Sequence, residues 1–480
     1  MDWLDWFDAH DYEIARQVLQ RGVGAFAFIA FLSTLNQFRP LLGEHGLLPV
    51  PELLRIARRL RGPSLFRWGY TDRRLVAVAV TGLVLAASVV VGLPQLGPPF
   101  VPMLVFLGLW ILYLSIVNVG QTFYGFGWEM LLCEALFTIA FLGSNDQPPP
   151  ILIIVAIWWL VFRLEFGAGM IKIRGGREWR DLTALMYHHE TQPMPNPISR
   201  QAHLLPKWFH RGEVLGNHFA QLAVPFLLFI PGPVGSVAAV IVILTQLWLI
   251  VTGNFAWLNW ITVVLAASAI TDSAWHWLIP AIPTDLGADA ATTPLWWFAI
   301  VLAASALLLV LSFWPIRNLL SRRQLMNASF NRWMLVNAYG AFGTVTKRRI
   351  EIVVEGTLDD DPDDGEWREY AFKGKPGDVR AIPRQWAPYH LRLDWLMWFL
   401  PLGRMWEPWF EQFLLRLLEA DPPTLALLRT DPFDGRPPTW VRAHAYHYRF
   451  ATHAEFRETG QRWIRTFQRE VIGPAGLRAD

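Results

Sequence analysis

Residues 162–197 read FRLEFGAGMIKIRGGREWRDLTALMYHHETQPMPNP, and this stretch concentrates the side chains able to do chemistry. On a helix, Glu165, Gly169 and Lys172 follow i, i+4, i+7 and share one stripe, while Arg163, Gly167 and Met170 form another nearly opposite. A helix with two polar faces belongs inside a bundle. Gly167 and Gly169 remove bulk beside Lys172, so that another backbone or a flat ligand can approach. A lysine at the mouth of a cavity can serve as a base, with Glu165 or Arg163 setting its protonation state. The plainer reading is a lysine that ends a span and snorkels toward the surface.

His188, His189 and Glu190 are metal-ligating types, but adjacent histidines diverge on helix and strand alike, and H-E-x-x-H spacing is absent. No metal site is expected there. Pro193, Pro195 and Pro197 hold Gln192, Met194 and Asn196 extended, giving a stiff ledge that can present side chains to a partner or only carry the chain across a surface. His203, His210 and His218, near Trp208 and Phe209, read as interfacial packing before a span. The G-x-S-x-G elbow and the P-loop are missing, which withdraws support from nucleophilic hydrolysis and nucleotide chemistry.

The elements that position these residues follow from composition. The chain has 480 residues, 53% hydrophobic and 17% charged, too apolar for an ordinary soluble protein. Apolar blocks at 22 to 38, 75 to 93, 100 to 119, 128 to 142, 151 to 171, 218 to 231, 236 to 252, 255 to 271 and 295 to 316 predict about nine spans. Trp68, Trp128, Trp275, Trp277, Trp296, Trp297 and Trp314 stand at block ends as interface anchors. Glu129 and Glu134 fall inside a block, where each charge requires a partner or water. A net charge of +2 gives no reason to expect nucleic acid as a partner. Cys133 is the single cysteine and lies in an apolar block, so no internal disulfide or C-x-x-C pair can form.

The expected organisation is an N-terminal segment at 1–21, then an α-helical polytopic membrane bundle at 22–316 with polar loops at 39–74 and 172–216. A linker at 317–329 leads to a β-rich extramembrane domain at 330–480. In RRIEIVVEGTL, Ile350, Ile352 and Val354 alternate with Glu351, Val353 and Glu355, a strand with one buried face. Tyr446, Tyr448 and Phe450 share a side of a second strand. Trp463, Ile464, Phe467 and Val471 stand at helical spacing, predicting a terminal amphipathic helix.

Residues 162–197, together with GQTFYGFGWEMLLCEALF, WFHRGEVLGNHFAQLAVPFLLF, LIVTGNFAWLN, NAYGAFGTVTKRR and PYHLRLDWLMWF, closely resemble the lipase maturation factor family. The resemblance implies an integral membrane protein that helps exported clients, lipases among them, to fold or assemble, with no cofactor and no defined reaction. It implies the endoplasmic reticulum membrane in a eukaryote and the cytoplasmic membrane in a bacterium. It also puts the C-terminal domain in the lumen, whereas arginine-rich loops on the same face point to the cytoplasm; the exoplasmic side is the expectation kept. Trp179, Arg180, Asp181, Gln192, Met194 and Asn196 are then the expected client contacts. A more distant likeness to the vitamin K-dependent gamma-carboxylase and its horizontally transferred transmembrane relatives rests on GEHGLLP, 43 to 49, and on GAGMIKI. It implies the alternative of an enzyme acting on a quinone or another lipid-soluble substrate, with Lys172 as base.

Overall fold

The computed structural model describes residues 5–56, 62–282, 293–403 and 407–477. Helix α1 (Glu13–Leu42) is 30 residues long, about 45 Å at the α-helical rise. Tyr12 offers it no side-chain cap. Asp272 does this from afar, its carboxylate accepting from the Glu13 and Ile14 N–H groups at 2.8 and 2.9 Å. Helix α2 (Asp72–Val91) starts on the Thr71 side chain and stops at Gly92, whose φ of 85° suits glycine. The bundle continues with α3 (Phe100–Val117), α4 (Gly127–Ile139), α5 (Ile151–Arg174), α6 (Leu185–Thr191), α7 (Lys207–Leu222), α8 (Pro233–Thr252), α9 (Leu258–Ala266) and α10 (Leu295–Leu320).

Six of these, α1, α2, α3, α5, α8 and α10, are long and apolar enough to cross a membrane. The nine spans expected are therefore not all matched by long helices. The block at 128 to 142 yields the 13-residue α4, buried throughout. The block at 218 to 231 is broken between Leu222 and Val224, where Pro225 cannot continue the ladder. The block at 255 to 271 holds the nine-residue α9 and a 3₁₀ turn. Among the tryptophans assigned to the interface, Trp68 and Trp277 are exposed, but Trp128 and Trp297 are core residues.

The C-terminal part holds one four-stranded antiparallel sheet, in the order β2-β1-β3-β4: β1 (Arg349–Thr357), β2 (Arg368–Glu369), β3 (Trp440–Phe450) and β4 (Trp463–Ala475). Helices α11 (Arg392–Phe399) and α12 (Pro408–Leu418) pack with it. Strand β1 departs from the expected single buried face, because Arg349 and Glu351 on its polar side are also buried and paired at 2.6 Å. Lys375 meets Glu351 at 2.8 Å, and Arg349 donates to the carbonyls of Glu190, Gln192 and Pro193.

A short helix, His453–Thr459, closed by a capping box, lies near the C-terminus. The residues expected to form the terminal helix do not: Trp463, Ile464, Phe467 and Val471 lie on β4. Trp463, Phe467 and Val471 also fit a period of two, and pairing with β3 (Tyr446 with Phe467, Phe450 with Trp463) decides between the periods. The Trp463 ring stacks on Phe450 at 3.9 Å.

Two carboxylates of α4 tie the C-terminal chain to the bundle. Glu129 takes Arg392 of α11 at 2.6 Å, and both side chains are fully buried. Glu134 pairs with Arg163 of α5 and accepts from the Asn337 backbone (2.9 Å), the Asn337 side chain (2.9 Å) and the Tyr339 hydroxyl (2.7 Å). Removing one partner of such a pair strands a buried charge, at a cost of roughly 3–5 kcal/mol. Thermal unfolding in detergent should therefore show Arg392→Met more damaging than the double change Glu129→Gln with Arg392→Met; equal loss in both would deny that the stranded carboxylate is the cause.

Burial also depresses three histidines outside the long helices: His188 to about 3, and His203 and His390 to about 4. A histidine held neutral by the fold stabilises it above the ordinary pKa of about 6.5, and that contribution is lost as pH falls through the folded-state value. Stability should drop between roughly pH 6.5 and 4, and His203→Gln should flatten the drop. A melting temperature independent of pH across that window would contradict the assignment.

Candidate functional site

Two glycines on α5 admit two different backbones. A Cβ at Gly167 would lie 2.5 Å from the Tyr339 carbonyl oxygen, and one at Gly169 would lie 2.7 Å from the Leu222 side chain of α7. The first close approach lets residues 335–341 enter the bundle. The second brings α7 against Lys172, whose ammonium donates to Asn217 Oδ1 at 2.9 Å and Gln221 Oε1 at 2.8 Å. The Nζ also lies 4.6 Å from the Trp179 ring centroid.

Gln221 relays this contact, donating from Nε2 to Glu165 Oε2 at 3.1 Å, while Gln246 of α8 donates to Glu165 Oε1 at 2.6 Å. Lys172 and Glu165 thus belong to one polar chain and line one cavity of about 330 Å³ between α5, α7 and α8. Arg163 does not join them, because it is spent on Glu134 and the Asn337 carbonyl. The sequence reading that let Arg163 tune Lys172 is corrected accordingly: the two stripes of α5 serve separate networks.

At the outer end of this cavity stands Glu213 of α7. Its carboxylate faces His189 Nε2 at 3.3 Å and His210 Nδ1 at 2.7 Å, and accepts from Trp248 Nε1 at 2.7 Å. The ledge keeps the two adjacent histidines apart, as their divergence requires: His189 turns to Glu213, and His188 stacks on Phe255 with 6° between the ring planes. His210, read from sequence as interfacial, is 2% exposed. Sequence reasoning missed this cluster. The available signal was the polar row His210, Glu213, Asn217 and Gln221, which recurs at helical spacing along α7.

The expected client contacts divide sharply. Trp179, Gln192, Met194 and Asn196 are each at most 2% exposed. Gln192 donates to the His189 and Thr252 carbonyls and to Ser199, and Asn196 donates to the Val251 carbonyl and Gln385. Trp179 donates to the Phe342 carbonyl. The proline ledge is therefore an internal seam between bundle and sheet, and of these four nearly buried residues only Gln192 borders a cleft. Arg180 and Asp181 remain exposed.

A second, larger cleft of about 1010 Å³ opens where the bundle meets the C-terminal part. Aromatic side chains line it from both sides: Phe126 and Trp128 from the bundle, and Trp395, Trp398, Phe399 and Trp409 from α11 and α12. Phe399 is 42% exposed.

The family model for the lipase maturation factor transmembrane domain matches residues 14–277, and that for the lipase maturation factor C-terminal domain matches residues 335–473. The chain is 38% identical to lipase maturation factor 1 of Bos taurus, over 95% of this chain and 88% of that protein. It is 37% identical to lipase maturation factor 1 of Mus musculus, over 96% and 86%. With lipase maturation factor 2 of Homo sapiens it shares 28% over 97% and 83%. No solved structure matches the chain. The matched ranges take in α5, the ledge and most of the sheet, and the chain belongs to the lipase maturation factor family.

Proposed function

We propose that this integral membrane protein is a chaperone-like maturation factor, which holds a partly folded exported client, a lipase in the first instance, in the aromatic cleft between bundle and sheet. Membership of the family, matched over most of the chain, carries this reading. The cleft supports it: concave, largely apolar surface with a few polar groups suits transient capture of an exposed client segment. The exposed pair Arg180 and Asp181 can extend the contact, while Gln192 lines the cleft and Trp179, Met194 and Asn196 are buried. The bilayer is the second partner. No cofactor is required.

We further infer nine passages of the chain through the bundle. Asp8, Arg16 and Asp272 gather with Gln147 and Thr293 at one end of α1. Gln37, near the other end, holds the His390 carbonyl at 2.7 Å. Two ends about 40 Å apart lie on opposite faces, so an odd number of passages separates the N-terminus from the sheet. The shorter stretches α4, α7 with its continuation past Pro225, and α9 with its 3₁₀ turn supply the three beyond the six long helices. Which side is which does not follow from the passage count; the family resemblance, against the arginine bias, supports the sheet on the exoplasmic side, the lumen of the endoplasmic reticulum in a eukaryote or the outer face of the cytoplasmic membrane in a bacterium.

One observation favours a second reading, an enzyme acting on a quinone or other lipid-soluble substrate: Lys172 and Glu165 share a cavity through Gln221. Lys172 would be its base.

Three outcomes are expected. With a secreted lipase co-expressed, Trp398→Ala with Phe399→Ala should lower active client at least about fivefold at unchanged abundance of this protein; a parallel fall in abundance would make these residues structural. Lys172→Ala should leave client maturation within about twofold of wild type, whereas complete loss with normal abundance would favour the enzyme. Tags placed before Met1 and after Asp480 should be reached from opposite sides of the membrane, and same-side access would remove the nine-passage topology.

A further inference from the structure

The cluster at the outer end of the Lys172 cavity has the chemistry of a metal centre. One ligand atom each from His189, His210 and Glu213 lies within 4.8 Å of the others. His189 comes from α6, and the other two occupy one face of α7 at i, i+3. In a tetrahedral site with bonds of roughly 2.0–2.1 Å, neighbouring ligand atoms stand about 3.3 Å apart. His189 Nε2 and Glu213 Oε1 are already at 3.3 Å.

Proton accounting sharpens the point. His210 Nε2 lies 3.2 Å from the His203 carbonyl oxygen, which can only accept, so Nε2 carries the ring hydrogen. Nδ1 then turns its lone pair toward Glu213 Oε2 at 2.7 Å, again an acceptor. Two lone pairs at that separation need positive charge between them. A second imidazole, His189, converges on the same carboxylate, its Nε2 3.3 Å from Glu213 Oε1. One divalent cation serves all three groups at once.

The surroundings fit. The His203 carbonyl fixes the tautomer of His210, and Trp248 Nε1 donates at 2.7 Å to Glu213 Oε1, the oxygen that faces His189, which orients the carboxylate as outer-shell partners do for metal ligands. His189 and Glu213 line the cavity, so a fourth coordination position has space toward Lys172 and the apolar walls of Leu244 and Leu249.

We propose that His189, His210 and Glu213 bind a borderline divalent ion of the Zn²⁺ class, with an open fourth position facing the cavity. The two-imidazole, one-carboxylate set favours such ions over Ca²⁺ or Mg²⁺. Bound there, the ion fastens α6, and with it the proline ledge, to α7. This inference stands apart from the client reading and from any reaction at Lys172.

The test uses full-length protein in lipid nanodiscs, stripped with chelator and titrated with Co²⁺ alone. Expected are one Co²⁺ per chain with tetrahedral d–d absorption, displacement by Zn²⁺, and binding weakened more than about tenfold in His210→Gln and in Glu213→Gln. A wild-type measurement keeps the outcome decisive if either variant misfolds: Zn²⁺ should raise the melting temperature of the stripped wild-type protein, because an ion held only by the folded state stabilises it, and Mg²⁺ at the same concentration should not. Substoichiometric Co²⁺ uptake, uptake undiminished in both folded variants, or a wild-type melting temperature that Zn²⁺ leaves unchanged would overturn the assignment.

Discussion

Burying a carboxylate among apolar helices is unfavourable by several kcal/mol unless a cation and hydrogen bonds meet it. Helix α4 buries two, Glu129 and Glu134; Arg163 of α5 meets Glu134 within the bundle, but each carboxylate also draws partners from beyond α10. Arg392 reaches Glu129 from α11, and the Asn337 backbone and Tyr339 hydroxyl reach Glu134 from the segment that follows the last long helix. The bundle cannot satisfy its own core without the C-terminal chain. For this reason the sheet does not hang on a tether but sits against the bundle, and the aromatic cleft exists as a fixed space between them.

The same logic explains the crowded sequence around Lys172. Gly167 gives way to the Tyr339 carbonyl and Gly169 to α7, so one helical turn of α5 accommodates both the docking segment and the helix that carries Asn217 and Gln221. Arg163 serves the dock, while Glu165 and Lys172 serve the cavity. Behind them, Arg349 of strand β1 clasps the carbonyls of Glu190 at the end of α6 and of Gln192 and Pro193 on the ledge. A client held in the cleft would meet this seam at Gln192 and Pro193, which line it.

Much of this was legible in the sequence. Apolar block length marked the long helices, the two-faced α5 announced a buried position, and Glu129 and Glu134 signalled missing partners. What escaped were features set by distant pairing. Trp463 to Val471 satisfies helical and strand spacing equally, and only β3 chooses. The ledge prolines indicated stiffness but not burial, since nothing local tells that Arg349 and Asn254 lie against both sides. The meeting of His189 with His210 and Glu213 spans two helices joined by a long loop, and adjacency of His188 and His189 drew attention to the wrong pair.

The dock at Glu134 is the claim that most of the account stands on, and amide hydrogen exchange reads it directly. With the protein in nanodiscs, peptides covering 335–340 should exchange as slowly as those of α5, because the Asn337 N–H is buried against the carboxylate. Exchange as rapid as in the exposed acidic turn at 359–364 would show the segment to be undocked and would contradict the fixed cleft.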